Sequence, residues 1–148
     1  MENEIHPERT TGKRKAQYMF TAKHHGGAGA QWAVSRDKEF SVFNGADVHD
    51  LADEAGNLYG ILPSEDGGLC YLGTCAEQVA KFPCAKEPTP WHGYPLFPVN
   101  DRAPENRRGE KCQPDVAVFK KMEQAGLLGP GARKRLQSGR HVKKGRLA

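Results

Sequence analysis

The sequence predicts an α+β domain: a small antiparallel sheet built from two hairpins, with about three to four helices packed on it. Three observations point to that class. Apolar residues alternate on either side of candidate turns over 31–43 and 57–72, as half-buried strands require. Over 46–55 and 114–125 they recur at helical spacing instead. Between these patterns, residues 88–98 hold four prolines around Trp91, His92, Tyr94 and Phe97. Proline fixes φ and lacks an N–H, so this stretch is expected as an extended loop, not a helix or central strand. Three aromatic rings are costly to leave in water. The loop should therefore clamp one edge of the domain, with His92 and Gly93 at its bend.

Taken in order, residues 1–15 are polar and carry Lys13-Arg14-Lys15, which predicts a flexible basic arm. Residues 16–21 have the aromatic content of a short strand, and the His24-His25-Gly26-Gly27 run is a turn without nucleotide-loop spacing. Trp32 and Val34, then Phe40 and Val42, alternate around Ser35-Arg36-Asp37-Lys38 and predict the first hairpin. Early acids and a terminal Gly56 predict a helix over 46–55. Strands at 57–62 and 69–72 flank an acidic, glycine-rich turn and predict the second hairpin. Thr74 with Glu77 three residues later has capping-box spacing, which predicts a helix over 75–82 ended by Pro83. Residues 100–113 read as a surface excursion. Pro114 suits a first helical position, so a helix over 114–125 stops at Gly126, and a short basic helix follows over 132–138. The last nine residues are expected to be loose. The organisation is thus an arm (1–15), one domain (16–131) and a basic C-terminal helix and tail (132–148). A DNA-binding helix-turn-helix is disfavoured, because the joint between the last two helices is six residues long and the second has only about two turns.

Composition bounds the function. The chain has 148 residues, long enough for one core, but 37% are hydrophobic, below the usual globular share, so sizeable parts are expected to lie outside it. No apolar run approaches the ~20 residues that span a bilayer, and residues 1–30 lack a secretory h-region. A soluble, cytoplasmic protein without a membrane partner is expected. The net charge of +4 hides a polarised chain. Arg133, Lys134, Arg135, Arg140, Lys143, Lys144 and Arg146 crowd the C-terminal end without an acid, whereas 37–66 carry Asp37, Glu39, Asp47, Asp50, Asp53, Glu54, Glu65 and Asp66 against Lys38 alone.

The reading this favours is a small accessory protein that binds nucleic acid, another polyanion or an acidic protein surface through those seven cations, with Trp91 and Tyr94 offering stacking surfaces to bases. Two alternatives stand beside it. One is a small nuclease or toxin-type enzyme using His92 with a second histidine, His25 or its neighbour His24, and Arg107 or Arg108 as the phosphate-facing cation. The other is an inhibitory module whose acidic 37–66 face meets a basic target. No cofactor is expected. Zinc held by Cys70, Cys75, Cys84, Cys112 or His92 is disfavoured, since the spacings lack the short knuckles of structural zinc sites. Cys75 as a nucleophile beside His92 is likewise weighed below ordinary packing of a small thiol.

Overall fold

The aromatic residues that are scattered along the sequence meet in one place. In the computed structural model, which describes residues 2–27, 30–98 and 114–146, Tyr18, Phe20, Trp32, Phe43, Phe82 and Trp91 are buried in a single cluster. A second cluster joins Tyr59, Val79, Phe97, Phe119, Met122 and Leu136. The two lie on opposite faces of one sheet. That sheet has three antiparallel strands in the order β3 (Leu58–Gly60), β4 (Val79–Phe82), β5 (Tyr94–Phe97). Leu58 pairs with Phe82 and Gly60 with Ala80, and these face the first cluster; Tyr59 and Val79, one residue out of step, face the second. A separate two-stranded sheet pairs β1 (Glu4–Ile5) with β2 (Met19–Phe20). Among the described residues three α-helices lie beside these sheets, and the fold is α+β.

The first expected hairpin is a helix. Ser35 caps α1 (Arg36–Val48) by accepting a hydrogen bond from the Lys38 N–H, and Asp37 and Glu39 sit in the first turn where the dipole favours them. The buried residues Glu39, Val42, Phe43, Ala46 and Asp47 form one helical stripe, so the 3.6-residue period overrides the local alternation. The helix expected over 46–55 consequently ends at Val48, and Asp50 turns the chain with φ 50°.

The helix expected over 75–82 is a strand. Residues 73–76 make a tight turn closed by the Ala76 N–H on the Gly73 carbonyl, and Glu77 is buried with Oε1 accepting from the Cys75 N–H at 2.9 Å. The carboxylate that would have completed a helix cap closes this turn instead. Val79–Phe82 then runs between two partner strands and buries Val79, Ala80 and Phe82. The second hairpin holds at its turn, where Pro63 bridges Leu69 and the Cys70 N–H reaches the Leu62 carbonyl, but the sheet partner of β3 is β4.

The proline-framed stretch is held by Trp91, which exchanges backbone hydrogen bonds with Gln17 and Met19, and then becomes β5. Pro95 is tolerated there because β5 is the last strand of its sheet, and a register shift opposite Val79 and Ala80 takes up the irregularity. α2 (Val116–Gln124) and α3 (Pro130–Gln137) appear close to where they are expected. Both stop in the same way: Gly126 and Gly139 adopt positive φ, and the next residue's N–H, from Leu127 and Arg140, reaches back to Met122 and Arg135.

Both ends lie against the body. Glu4 and Ile5 pair with β2, Lys13 and Arg14 reach Asp50, and Arg14 also reaches the buried Asp47. At the other end Leu136 and Val142 belong to the second core cluster.

Candidate nucleic-acid interface and histidine corner

The C-terminal cations ride on a docked segment. The Val142 N–H donates to Gln78 Oε1, Gln78 Nε2 donates to the Val142 carbonyl, and both distances are 2.9 Å. The Leu69 N–H reaches the Lys143 carbonyl and the Gly145 N–H returns to Leu69. Gln78 is fully buried, so these bonds form away from water, where a lost partner is expensive. Close approach makes the fit possible: a Cβ on Gly68 would strike the Lys143 carbonyl, and one on Gly145 would strike Ser64. The loose tail expected from composition is therefore corrected over 141–146; a charge count carries no information about a buried glutamine waiting for a strand.

The side chains on this segment point outward. Lys134, Arg135, Arg140, Lys143, Lys144 and Arg146 are exposed. Arg133 differs, being partly buried and ion-paired with Glu123. None of the other six has a carboxylate within ion-pair distance among the described residues. Arg135 Nε donates to the His141 carbonyl at 2.7 Å, and the Lys144 ammonium lies 5.1 Å from the centre of the Tyr71 ring, whose edge meets His141. Lys143 reaches the Asp66 carbonyl oxygen. Tyr71 is thus the aromatic among the cations, and the sequence pattern gave no sign of it because Tyr71 precedes Lys144 by seventy-three positions.

Trp91 is core, 7% exposed, and not a surface for a base. Tyr94 is half-buried and stacks on His24 with ring centres 5.2 Å apart. That contact belongs to a second arrangement. Lys23 and His24 lie on a 3-10 helix, Ala22–His24, and Trp32 ties it to the loop: its N–H donates to the His24 carbonyl and its Nε1 to the Gly93 carbonyl, both at 3.0 Å. Gly93 lets the loop approach, since a Cβ there would collide with the Phe82 ring. Exposure alternates along this stretch, so half-buried His92 and Tyr94 share a side while Gly93 and Pro95 face inward.

His24 Nδ1 donates to the Ala30 carbonyl at 2.8 Å. Burial pulls the His24 pKa below its usual value against that bond, with the charges of Lys23, His92 and His25 acting in the same direction as burial. Burial lowers His92 too, with Lys23 adding to it.

His25, adjacent in sequence, faces elsewhere. Its Nδ1 meets the Thr21 carbonyl and its Nε2 meets Glu39 at 2.6 Å, while Tyr18 donates to the other Glu39 oxygen at 2.5 Å. With both ring nitrogens engaged, His25 is a structural partner of a buried carboxylate, and His24 is the histidine beside His92. Arg107, Arg108 and Cys112 lie outside the described residues. Among the described residues no group of three His, Cys, Asp or Glu could hold a metal, and Cys70, Cys75 and Cys84 are free thiols. Burial raises the Cys70 pKa, the opposite of what a reactive thiolate needs.

Much of the acidic stretch is engaged internally. Glu39 is buried, Asp47 and Asp50 bind Arg14, and Asp53 takes hydrogen bonds from Asn57 and Tyr59. A groove of about 350 Å³ beside Leu69, Leu128 and Val142 is lined by no charged side chain, so it offers shape without a chemical handle. Among the described residues no helix is long and apolar enough to cross a membrane. Compared with family models, curated proteins and solved structures, the chain matches none of them.

Proposed function

We propose that the protein binds nucleic acid, or a polyanion of similar charge density, through the cations of its docked C-terminal segment. The supporting observation is the pairing of a fixed backbone with unpaired charge: 141–146 are held by Leu69 and Gln78 while Lys134, Arg135, Arg140, Lys143, Lys144 and Arg146 stay exposed. Cations on an ordered backbone lose less conformational freedom when they meet phosphates than cations on a mobile tail. Each neutralised phosphate releases counterions, so four to six contacts give a slope of log K against log salt of roughly −3 to −5. Tyr71, beneath Lys144, takes the stacking role that Trp91 cannot fill.

The test is a fluorescence anisotropy titration of the full chain with single- and double-stranded oligonucleotides. Raising salt from 50 to 200 mM is expected to weaken binding by roughly 10²- to 10³-fold. No binding at 50 mM salt would overturn the proposal. Deleting the segment is not a clean control, because Leu136 and Val142 leave the core with it.

A further inference from the structure

The geometry points to a second activity beyond binding: His24, His92 and Lys23, held together by Tyr94 and Trp32, form a catalytic corner that cleaves RNA by transphosphorylation. Three groups suffice for that reaction, namely a base, an acid and a cation beside the phosphate. All three are present. His24 Nδ1 donates to the Ala30 carbonyl, which can only accept, so the neutral ring carries its lone pair on Nε2. Nε2 makes no hydrogen bond among the described residues, and the residue as a whole is buried, 7% exposed. His24 is therefore an oriented base at the edge of the core, which the 2′-hydroxyl must reach from the side of Lys23 and His92.

His92 is half-buried and makes no hydrogen bond among the described residues, so its ring is free to donate. It projects on the same side as Tyr94, on which His24 stacks, and its charge is felt at His24. Lys23 is exposed, and its charge is felt at both histidines. A phosphate placed among the three relieves their mutual repulsion. Perturbed titratable groups clustered beside one another are functional-site candidates.

In the reaction, His24 Nε2 removes the proton from the 2′-hydroxyl, whose oxygen attacks the adjacent phosphorus. Lys23 offsets the charge that builds on the non-bridging oxygens. The bond from phosphorus to the 5′ oxygen breaks as protonated His92 supplies a proton to that oxygen. The products are a 2′,3′-cyclic phosphate and a 5′-hydroxyl, with no oxidant, reductant or further reactant. DNA lacks the nucleophile and is not a substrate.

The full chain is incubated in EDTA with an RNA oligonucleotide, the DNA of the same sequence and a 2′-O-methyl RNA. RNA is expected to be cut to cyclic-phosphate ends while the other two stay intact. His24→Asn and His92→Asn should each slow cleavage by about 10²-fold or more. Binding to the 2′-O-methyl RNA should be unchanged by either substitution, which separates loss of chemistry from loss of the binding surface. If His24→Asn fails to fold, His92→Asn decides alone, since that side chain gives up no hydrogen bond. Intact RNA with the wild-type chain, cleavage by His92→Asn at the wild-type rate, or products ending in 3′-hydroxyl would each overturn the inference.

Discussion

Tyr18, Glu39 and His25 show how a single residue can change the meaning of a segment. A glutamate in the middle of an alternating apolar pattern reads as the solvent side of a strand, yet Glu39 is fully buried, with Tyr18 on one oxygen and His25 on the other. Burial raises the Glu39 pKa, because two hydrogen bonds only partly replace water. Removing one partner should expose that cost: Tyr18→Phe is expected to destabilise the fold by about 1–3 kcal/mol in urea unfolding, as a buried acceptor loses its donor. Asp50 acts in the opposite sense. Hydrogen bonds from Lys13 and Arg14 lower its pKa from 3.8 to about 2, so the folded state holds the anion where the unfolded chain would bind a proton. Its contribution is full above pH 3.8 and is lost as pH falls toward 2. Asp50→Asn should flatten that part of the stability profile, by a small amount because the pair is exposed. The proposed partnership of His24 with His92 was legible only as residue type. Which of two adjacent histidines faces the loop depends on the 3-10 turn that separates their directions.

At the scale of elements, the glycine stops were the most legible features. Gly126 and Gly139 end their helices by a local left-handed turn that needs no tertiary partner. The starts were less legible, since α2 begins at Val116, after the expected Pro114, and Pro130, expected in the joint, opens α3. Segments whose pattern satisfied two periods were misread. Residues 35–43 fit a two-residue and a 3.6-residue repeat equally well over a short window, and the Ser35 cap and the buried stripe continuing to Asp47 decide for the helix. Residues 75–82 carry a capping-box spacing, but partner strands on both sides outweigh a local cap. The docked segment at 141–146 was invisible because its partners, Leu69 and Gln78, lie more than sixty positions away. Its fit makes a sharp prediction. Gly145→Ala should cost about 1–3 kcal/mol through the clash with Ser64. The same change should speed amide exchange at Val142, whose N–H sits on Gln78.

For the whole molecule, the α+β class was legible and the layering was not. The sheet is buried on both faces, with α1 and the aromatic cluster on one side and α2, α3 and the docked C-terminal segment on the other. Phe119, fully buried in the second cluster, joins α2 to the sheet, so Phe119→Ala should cost about 3–5 kcal/mol in unfolding experiments. Charge follows the same division. The acidic stretch is largely spent on internal partners, whereas the C-terminal cations other than Arg133 have no carboxylate partner among the described residues. The most direct measurement is the salt slope of oligonucleotide binding for wild type and for a variant carrying Arg135→Gln, Arg140→Gln and Lys144→Gln. Three fewer phosphate contacts should make the slope shallower by roughly 2–3 while the melting temperature stays within a few degrees of wild type. An unchanged slope in a folded variant would show that these cations do not meet the polymer.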